Sequence, residues 1–289
     1  MSEIITKTAE YWEPCNDKIR CTLCPHQCLI GVGKAGLCLG RKNIDGKLIA
    51  ENYGRVTSMA VDPMTKKPLN RFYAANTILT VASYGCNFKC NFCQNHSISQ
   101  QENDYTYYSP KAILDLALHH TINDNVGLAF SYNEPTISFE YVKDCFKLIK
   151  AAGLKTILVT NGYLAEKPFG ELAALTDAMN IDLKGFNENF YHKICGGDLE
   201  TVKKNITVAV ENCHVEITTL VIPQLNDDLQ EIKAMAKWIG ELNPEIPYHL
   251  SRFFPRYKME NQEPTPLATM SEAAEVASEY LKYVYLGNM

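Results

Sequence analysis

The most constraining feature of this sequence is a regular alternation of strand-like and helix-like segments that begins after residue 76. The strand-like segments are short, apolar and partly β-branched, as is typical of strands covered on both faces. Six such units in succession predict an α/β fold with a parallel sheet and right-handed crossovers, either open or closed into a complete or partial barrel. The predicted strands are Ile78–Ser83, Leu128–Tyr132, Thr156–Thr160, Met179–Leu183, Glu216–Ile222 and Tyr248–Phe253.

Helical segments are predicted between these strands. Ser109 stands as an N-cap before Pro110, and Gly153 ends a segment with apolar residues at helical spacing. The predicted helices are Lys111–His120, Pro135–Ala152, Pro168–Thr176, Leu199–Asn212, Asp228–Leu242 and Ser271–Tyr285. Residues 1–76 do not follow the same rhythm, so we predict a cysteine-rich N-terminal extension (1–76) followed by a strand–helix domain (77–289).

Three cysteines follow the first predicted strand in the pattern Cys86-x3-Cys90-x2-Cys93. Three thiolates on a loop this short can bind three irons of a cubane cluster and leave the fourth iron open for chemistry. The alternative is a zinc site with a remote fourth ligand such as His96. The spacing, and the position at the carboxyl end of a strand, favour the cluster.

With these residues the sequence resembles the radical S-adenosylmethionine (SAM) superfamily, in the branch of the pyruvate formate-lyase activating enzymes. More narrowly it resembles the AmmeMemoRadiSam radical SAM family, through Cys21–Cys28, Asp62–Leu69 and Gly85–Asn95. The resemblance implies a partial (β/α)6 barrel and a [4Fe-4S] cluster whose open iron binds SAM. It further implies reductive cleavage of SAM to a 5′-deoxyadenosyl radical that abstracts hydrogen, with the protein orienting the cofactor. The implied partners are an electron donor of the flavodoxin or ferredoxin class and a protein or small-molecule substrate.

The resemblance also implies SAM contacts at the ends of successive strands. Activating enzymes usually have Gly-Gly-Glu after the second strand; here Asn133 replaces the second glycine and Glu134 matches. Asp182 and Lys184, two residues apart, are expected to face the same side and hold SAM. The other expected contacts are Phe92, Gln94, Asn161 and His249, and no catalytic residue beyond the cluster ligands is predicted. An ordinary turn at Asn161, a structural Asp182–Lys184 salt bridge and a core histidine at His249 remain alternatives.

A second group of cysteines precedes the strand–helix domain: Cys21, Cys24, Cys28 and Cys38. Four thiolates satisfy either tetrahedral zinc or a second iron–sulfur cluster, and the spacing does not discriminate between them. A third interpretation is that these four cysteines are reduced thiols that bind no metal. The intervening G-x-G-x-x-G of residues 31–36 lacks the strand–helix context of a dinucleotide site and is interpreted as a tight turn. Cys195 is interpreted as an isolated loop thiol.

Composition narrows the functional classes further. Lys and Arg number 28 against 33 Asp and Glu, a net charge of −5 that argues against non-specific nucleic-acid binding. Basic and aromatic residues alternate over 252–258, a segment that we expect to line the barrel mouth rather than bind RNA. No apolar run approaches the ~20 residues of a membrane helix, and the polar N-terminus predicts a cytoplasmic protein. An electron-transfer iron–sulfur protein and an RNA-modifying radical SAM enzyme are the alternative functions.

Overall fold

The computed structural model describes residues 6–289, which contain fifteen strands. Seven short strands lie in the N-terminal extension or pair with it outside the main sheet, and the other eight form the main sheet. In chain order the strands are β1 Trp12–Cys15, β2 Lys18–Cys21, β3 Leu29–Gly31, β4 Arg41–Ile44, β5 Lys47–Ala50, β6 Arg55–Val56, β7 Ser58–Pro63, β8 Thr77–Ala82, β9 Thr106–Tyr107, β10 Asn125–Phe130, β11 Lys155–Thr160, β12 Ala178–Asp182, β13 His214–Val221, β14 Tyr248–Arg252 and β15 Val284–Gly287.

The main sheet has eight strands in the order β15-β14-β13-β12-β11-β10-β8-β7. All neighbouring pairs from β8 to β15 are parallel, and β7 pairs with β8 in the antiparallel direction, with Ser58 opposite Ala82. Within residues 6–289 no pairing joins β7 to β15, so the sheet remains open. The prediction of a parallel α/β fold of the partial-barrel type is confirmed.

Helices connect the parallel strands and cover the outside of the sheet. Side chains of Ser109, Asp198 and Asp228 accept hydrogen bonds from backbone N–H groups in the first turns of three helices. The helices are α1 His96–Ser99, α2 Pro110–His119, α3 Phe139–Ala151, α4 Glu166–Ala173, α5 Glu188–Phe190, α6 Leu199–Asn212, α7 Leu229–Leu242 and α8 Leu267–Ser278. Short 3-10 turns occupy Met64–Lys66, His120–Asn123, Pro135–Ser138 and Tyr257–Met259, and Tyr191–Cys195 forms a π-helical turn.

The predicted helix Ser271–Tyr285 is wrong at both ends. The helix begins at Leu267, directly after Pro266, and ends at Ser278. The chain then extends, and Val284 pairs with Tyr248 to add β15 at the sheet edge. Backbone pairing with β14 therefore overrides the helical spacing of apolar residues in this segment.

The N-terminal extension packs onto the barrel. Its hairpins β1–β2–β3 and β4–β5 surround the first cysteine group, and β7 enters the main sheet. Extension and barrel thus share one sheet, although the division at residue 76 itself stays a prediction. The apolar core includes residues from both parts, such as Ile19, Leu48, Leu128 and Ile217, all at most 2% exposed. None of the helices in residues 6–289 has the length and apolar character required to cross a bilayer.

Candidate active site

The cysteine loop leaves β8 at its carboxyl end, where the parallel strands of a barrel present their loops. Cys90 is buried, and Cys86 and Cys93 are partly exposed. The Cys86 Sγ accepts a hydrogen bond from the Phe88 N–H at 3.3 Å, and the Cys93 Sγ lies 3.1 Å from the Ser99 Oγ. The loop therefore has a fixed conformation with three sulfur atoms available as ligands.

The environment of these thiols suits a bound iron–sulfur cluster. Burial raises the pKa of Cys86 well above its ordinary value, and a hydrogen bond with Cys195 does the same for Cys90. Buried thiols of this kind become thiolates when a cationic centre compensates their charge. Three such thiols on one short loop form a donor set that a cationic metal group would complete.

His96 is engaged elsewhere than in a zinc site. Its Nδ1 lies 3.3 Å from the Cys93 carbonyl oxygen, and its ring stacks on Tyr257 with centroids 4.6 Å apart. The zinc alternative with His96 as fourth ligand has no support in this geometry.

Asn133 fixes the start of the cysteine loop. Its Oδ1 accepts from the Ser83 N–H at 3.1 Å, and its Nδ2 donates to the Gly85 carbonyl at 3.1 Å. A glycine at this position, as in activating enzymes, has no side chain to make these bonds. Asn133 therefore supports the loop, and its predicted SAM contact stays a prediction.

Glu134 is buried, and its carboxylate is surrounded by donors from its own chain. Its Oε1 accepts from the hydroxyls of Thr136 and Thr160, both at 2.7 Å, and from the Thr136 N–H at 3.0 Å. Its Oε2 accepts from the Asn161 N–H at 2.7 Å. Burial raises the pKa of this carboxyl above its ordinary value, although these hydrogen bonds act to lower it. Glu134 thus ties the ends of β10 and β11 together.

Asn161 links these strand ends to the cysteine loop. Its Nδ2 donates to the Asn87 Oδ1 at 2.9 Å and lies 3.8 Å from the Cys86 Sγ. The structure therefore brings Asn133, Glu134 and Asn161 together beside Cys86. Their direct contacts with SAM stay predictions.

Asp182 and Lys184 form an ion pair at the carboxyl end of β12, with Nζ and Oδ2 2.7 Å apart. Burial lowers the pKa of Lys184, but the charge of Asp182 and the hydrogen bond to it raise the pKa by more, so that it lies well above the ordinary value. The Lys184 Nζ also lies 5.8 Å from the centre of the Phe92 ring. This pair is therefore adjacent to the cysteine loop, as the SAM prediction requires.

Gln94 lines an open cavity of about 480 Å³ next to the cysteine loop. The other lining residues are His96, Phe254, Arg256, Asn288 and Met289. The Lys258 N–H donates to the Asn91 carbonyl at 3.1 Å, so the basic–aromatic segment 252–258 contacts the cysteine loop directly. This placement agrees with a segment that lines the barrel mouth.

His249 has a partner inside the strands. Its Nε2 lies 2.6 Å from the Glu216 Oε2, and its ring stacks on Tyr285 at 5.2 Å. The residue is 6% exposed. These contacts are sufficient to hold His249 as a buried core residue. The proximity of His249 to SAM stays a prediction.

Two residues near the site were not identified from the sequence. Cys195, interpreted as a loop thiol, is fully buried and lies near enough to Cys90 to raise the pKa of that thiol. Asn87 joins Asn161 to the cysteine loop and donates to the Tyr163 carbonyl at 2.5 Å. Their roles depend on how distant loops pack, for which the sequence carried no local signal.

The comparisons with known proteins agree with this geometry. The family model of the radical SAM superfamily matches residues 80–239, more than half of the chain. An uncharacterised protein of Methanocaldococcus jannaschii is 39% identical, over 98% of this chain and 85% of its own length. A putative glycyl-radical enzyme activating enzyme of the same organism is 30% identical, over 71% of this chain and 79% of its own.

More distant relatives extend the similarity. Pyruvate formate-lyase 1-activating enzyme of Escherichia coli K12 is 24% identical, over 68% of this chain and 86% of its own length. Among solved structures, Streptococcus suis SuiB bound to the precursor peptide SuiA superposes with a TM-score of 0.58 at 17% identity. That match covers 71% of this chain and 47% of SuiB, and at this identity it supports the fold.

The sequence matches therefore give the family assignment, and the fold is compatible with it. The family implies a [4Fe-4S] cluster and SAM as cofactors. This chain belongs to the radical SAM superfamily.

Proposed function

We propose that this protein cleaves SAM reductively and abstracts hydrogen from a protein substrate, in the manner of a glycyl-radical activating enzyme. The observation that carries the proposal is the cysteine loop lying beside both the Asp182–Lys184 pair and the Glu134–Asn161 turn. An electron carrier needs no such pocket of charged and amide groups next to its cluster. The geometry thus favours an enzyme over an electron-transfer protein.

Cys86, Cys90 and Cys93 would hold the cluster. When bound, the cluster and SAM supply a 5′-deoxyadenosyl radical that removes a hydrogen atom from the substrate. Lys184 offers a cation for the SAM carboxylate, and Asp182 offers an acceptor for its hydroxyl groups. Asn133 and Glu134 hold the loop and the strand ends in register, so that these groups keep their positions during the reaction.

A macromolecular substrate is supported by two observations. The relative that is 30% identical and the Escherichia coli relative are both named as activating enzymes. The cavity beside Gln94 is open and carries Phe254 and Arg256, side chains suited to contact a folded partner or a peptide. A small-molecule substrate is the alternative within the same reaction class. An external donor of the flavodoxin or ferredoxin class would supply the electron.

The experiment that tests the proposed reaction is anaerobic reconstitution with iron and sulfide, followed by dithionite and SAM. We expect 5′-deoxyadenosine to form, as measured by liquid chromatography. Protein that holds its cluster and binds SAM but yields no 5′-deoxyadenosine would contradict the proposal and favour the electron carrier.

A further inference from the structure

The four N-terminal cysteines line one cavity between the extension and the barrel. Cys21, Cys24 and Cys38 are at most 9% exposed, and Cys28 is partly exposed. The remaining wall is largely apolar, with Leu23, His26, Ile30, Gly36, Leu37, Arg41, Asn87 and Ile137. Buried sulfur atoms that converge in an apolar cavity form a ligand set for a metal group.

Arg41 gives an independent indication of a bound group. Its side chain is 1% exposed, and its two terminal nitrogens donate to Glu140 and to the Glu10 carbonyl. Its Nε is buried and finds no acceptor among residues 6–289. A buried N–H without a partner costs free energy, so a donor on this cavity wall points to an acceptor inside. Sulfur atoms of an anionic cluster or thiolate set provide one.

Four cysteines satisfy either a tetrahedral zinc ion or an iron–sulfur cluster. Zinc has no redox chemistry, whereas a cluster can exchange electrons. The position of this cavity beside the three-cysteine loop therefore favours a cluster.

The N-terminal cavity adjoins the three-cysteine loop. The Cys38 carbonyl oxygen lies 2.1 Å from the position that a Cβ on Gly85 would take, so the two backbones are in close contact immediately before Cys86. Asn87, the residue after Cys86, lines the N-terminal cavity, and its carbonyl lies 2.8 Å from the His26 Nε2. A single layer of residues therefore separates the two ligand sets.

We propose that Cys21, Cys24, Cys28 and Cys38 bind a second [4Fe-4S] cluster, through which electrons reach the cluster at Cys86, Cys90 and Cys93. A reduced flavodoxin or ferredoxin would donate one electron to the N-terminal cluster. The N-terminal cluster would return to its oxidised state when it passes this electron to the cluster at Cys86, Cys90 and Cys93. No bond forms or breaks in this step. The relay rests on the proposed function, whereas the metal site stands without it.

The metal site is tested in a variant that cannot hold the first cluster, Cys86→Ala/Cys90→Ala/Cys93→Ala. After anaerobic reconstitution with iron, sulfide and zinc together, we expect about four irons and four sulfides per chain. Reduction by dithionite should give an electron paramagnetic resonance signal that SAM does not alter. About one zinc without iron, or no metal, would overturn the assignment.

The relay is tested in Cys21→Ser/Cys24→Ser, with Cys15→Ser as matched control because Cys15 lies in the same extension outside the cavity. We expect the double variant to lose SAM cleavage driven by reduced flavodoxin and to retain cleavage driven by dithionite. Flavodoxin-driven cleavage equal to that of the control would overturn the relay. If the double variant fails to fold, Cys28→Ser replaces it, since Cys28 is the most exposed of the four.

Failure of the relay and failure of the proposed function give different results. If the wild-type protein does not cleave SAM with dithionite, the proposed function fails, and the iron content of the triple variant still decides the second site. If the wild type cleaves SAM and the triple variant holds no iron, only the second site fails.

Discussion

Arg41 and Glu140 form a buried ion pair that joins the N-terminal extension to α3. The Arg41 Nη2 lies 2.8 and 2.9 Å from the two carboxylate oxygens, and the side chains are 1% and 0% exposed. Glu140 also accepts from the Glu10 N–H at 2.6 Å. The pair fixes the wall of the N-terminal cysteine cavity against the barrel.

Replacing one partner should leave the other charge buried without compensation. We expect Glu140→Ala to lower the free energy of unfolding by about 3–5 kcal/mol, as is typical when a buried pair is broken. Denaturant unfolding under anaerobic conditions measures this. Glu241→Ala is the control because its pair with Lys237 is exposed, and it should change little. Equal losses in both variants would mean that the Arg41–Glu140 pair contributes no more than a surface pair.

Each cysteine of the Cys86–Cys93 loop should be required for SAM cleavage. We expect Cys86→Ala, Cys90→Ala and Cys93→Ala each to abolish 5′-deoxyadenosine formation, because each change leaves an iron without its thiolate. Cys15→Ala is the control and should retain activity, since Cys15 lies outside both cysteine groups. Cleavage retained in any of the three variants would place the cluster elsewhere.

The Asp182–Lys184 pair should determine SAM affinity. Losing a hydrogen bond to a charged group costs about 1.5–3 kcal/mol, which corresponds to a roughly 10- to 150-fold weaker Kd for SAM in Asp182→Ala or Lys184→Ala. Equilibrium binding to the reconstituted, oxidised protein measures this. The matched control is Lys150→Ala, because Lys150 pairs with Asp177 at the opposite end of β12. An unchanged Kd in both site variants would reduce the pair to a structural salt bridge.

Local patterns in the sequence were sufficient to predict the six central strands and the position of the cysteine loop. Such strands are buried on both faces and read as apolar runs, so the pattern does not depend on which neighbour pairs with them. β15 was missed because its apolar residues continue the spacing of α8, and its extended form depends on pairing with β14. The C-terminal end of the predicted helix Ser271–Tyr285 was wrong for the same reason.

The contacts within the candidate site were less predictable from sequence. Cys195 lies near Cys90 at the end of the π-helical turn Tyr191–Cys195, which Gly196 follows with φ +81°. Asn133 supports the loop through backbone groups of Ser83 and Gly85, some 50 residues earlier in the chain. Both relationships arise from tertiary packing, which sequence spacing does not encode.

The free energy of unfolding should fall in acid because the Glu216 carboxylate becomes protonated. Burial raises the pKa of this carboxyl, but hydrogen bonds from His214, His249 and the N–H groups of Asn70 and Arg71 lower it to about 2. A folded pKa below the ordinary 4.5 means that the stabilisation is present above about pH 4.5 and is lost as the pH falls toward 2.

We expect Glu216→Gln to lose about 3 kcal/mol of stability near neutral pH, and the difference from wild type to shrink as the pH falls from 4.5 to 2. Unfolding curves at several pH values measure this, and contributions common to both proteins cancel in the difference. A difference that does not vary with pH would show that Glu216 acts through packing rather than through its charge.

Gly85 lies where the cysteine loop meets the N-terminal extension. Its φ is +89°, and a Cβ at this position would lie 2.1 Å from the Cys38 carbonyl oxygen and 3.0 Å from the Ile137 Cδ1. Gly153 also has a positive φ, +77°, but a Cβ there would meet no atom within 4 Å. A substitution at either glycine therefore strains the backbone, but only at Gly85 does the new Cβ also clash with neighbouring atoms.

We expect Gly85→Ala to lower the Tm well beyond the decrease in Gly153→Ala and to reduce the iron content after reconstitution. Gly153→Ala should lower the free energy of unfolding by only about 1–2 kcal/mol, because the alanine must adopt a left-handed backbone conformation. Its iron content should be unchanged. In Gly85→Ala the new methyl group must displace the Cys38 backbone or the loop itself, and either movement disturbs a cysteine ligand. Thermal unfolding and iron analysis of both variants measure the difference. Equal iron content and equal Tm in the two variants would show that the contact between Cys38 and Gly85 does not position the cysteine loop.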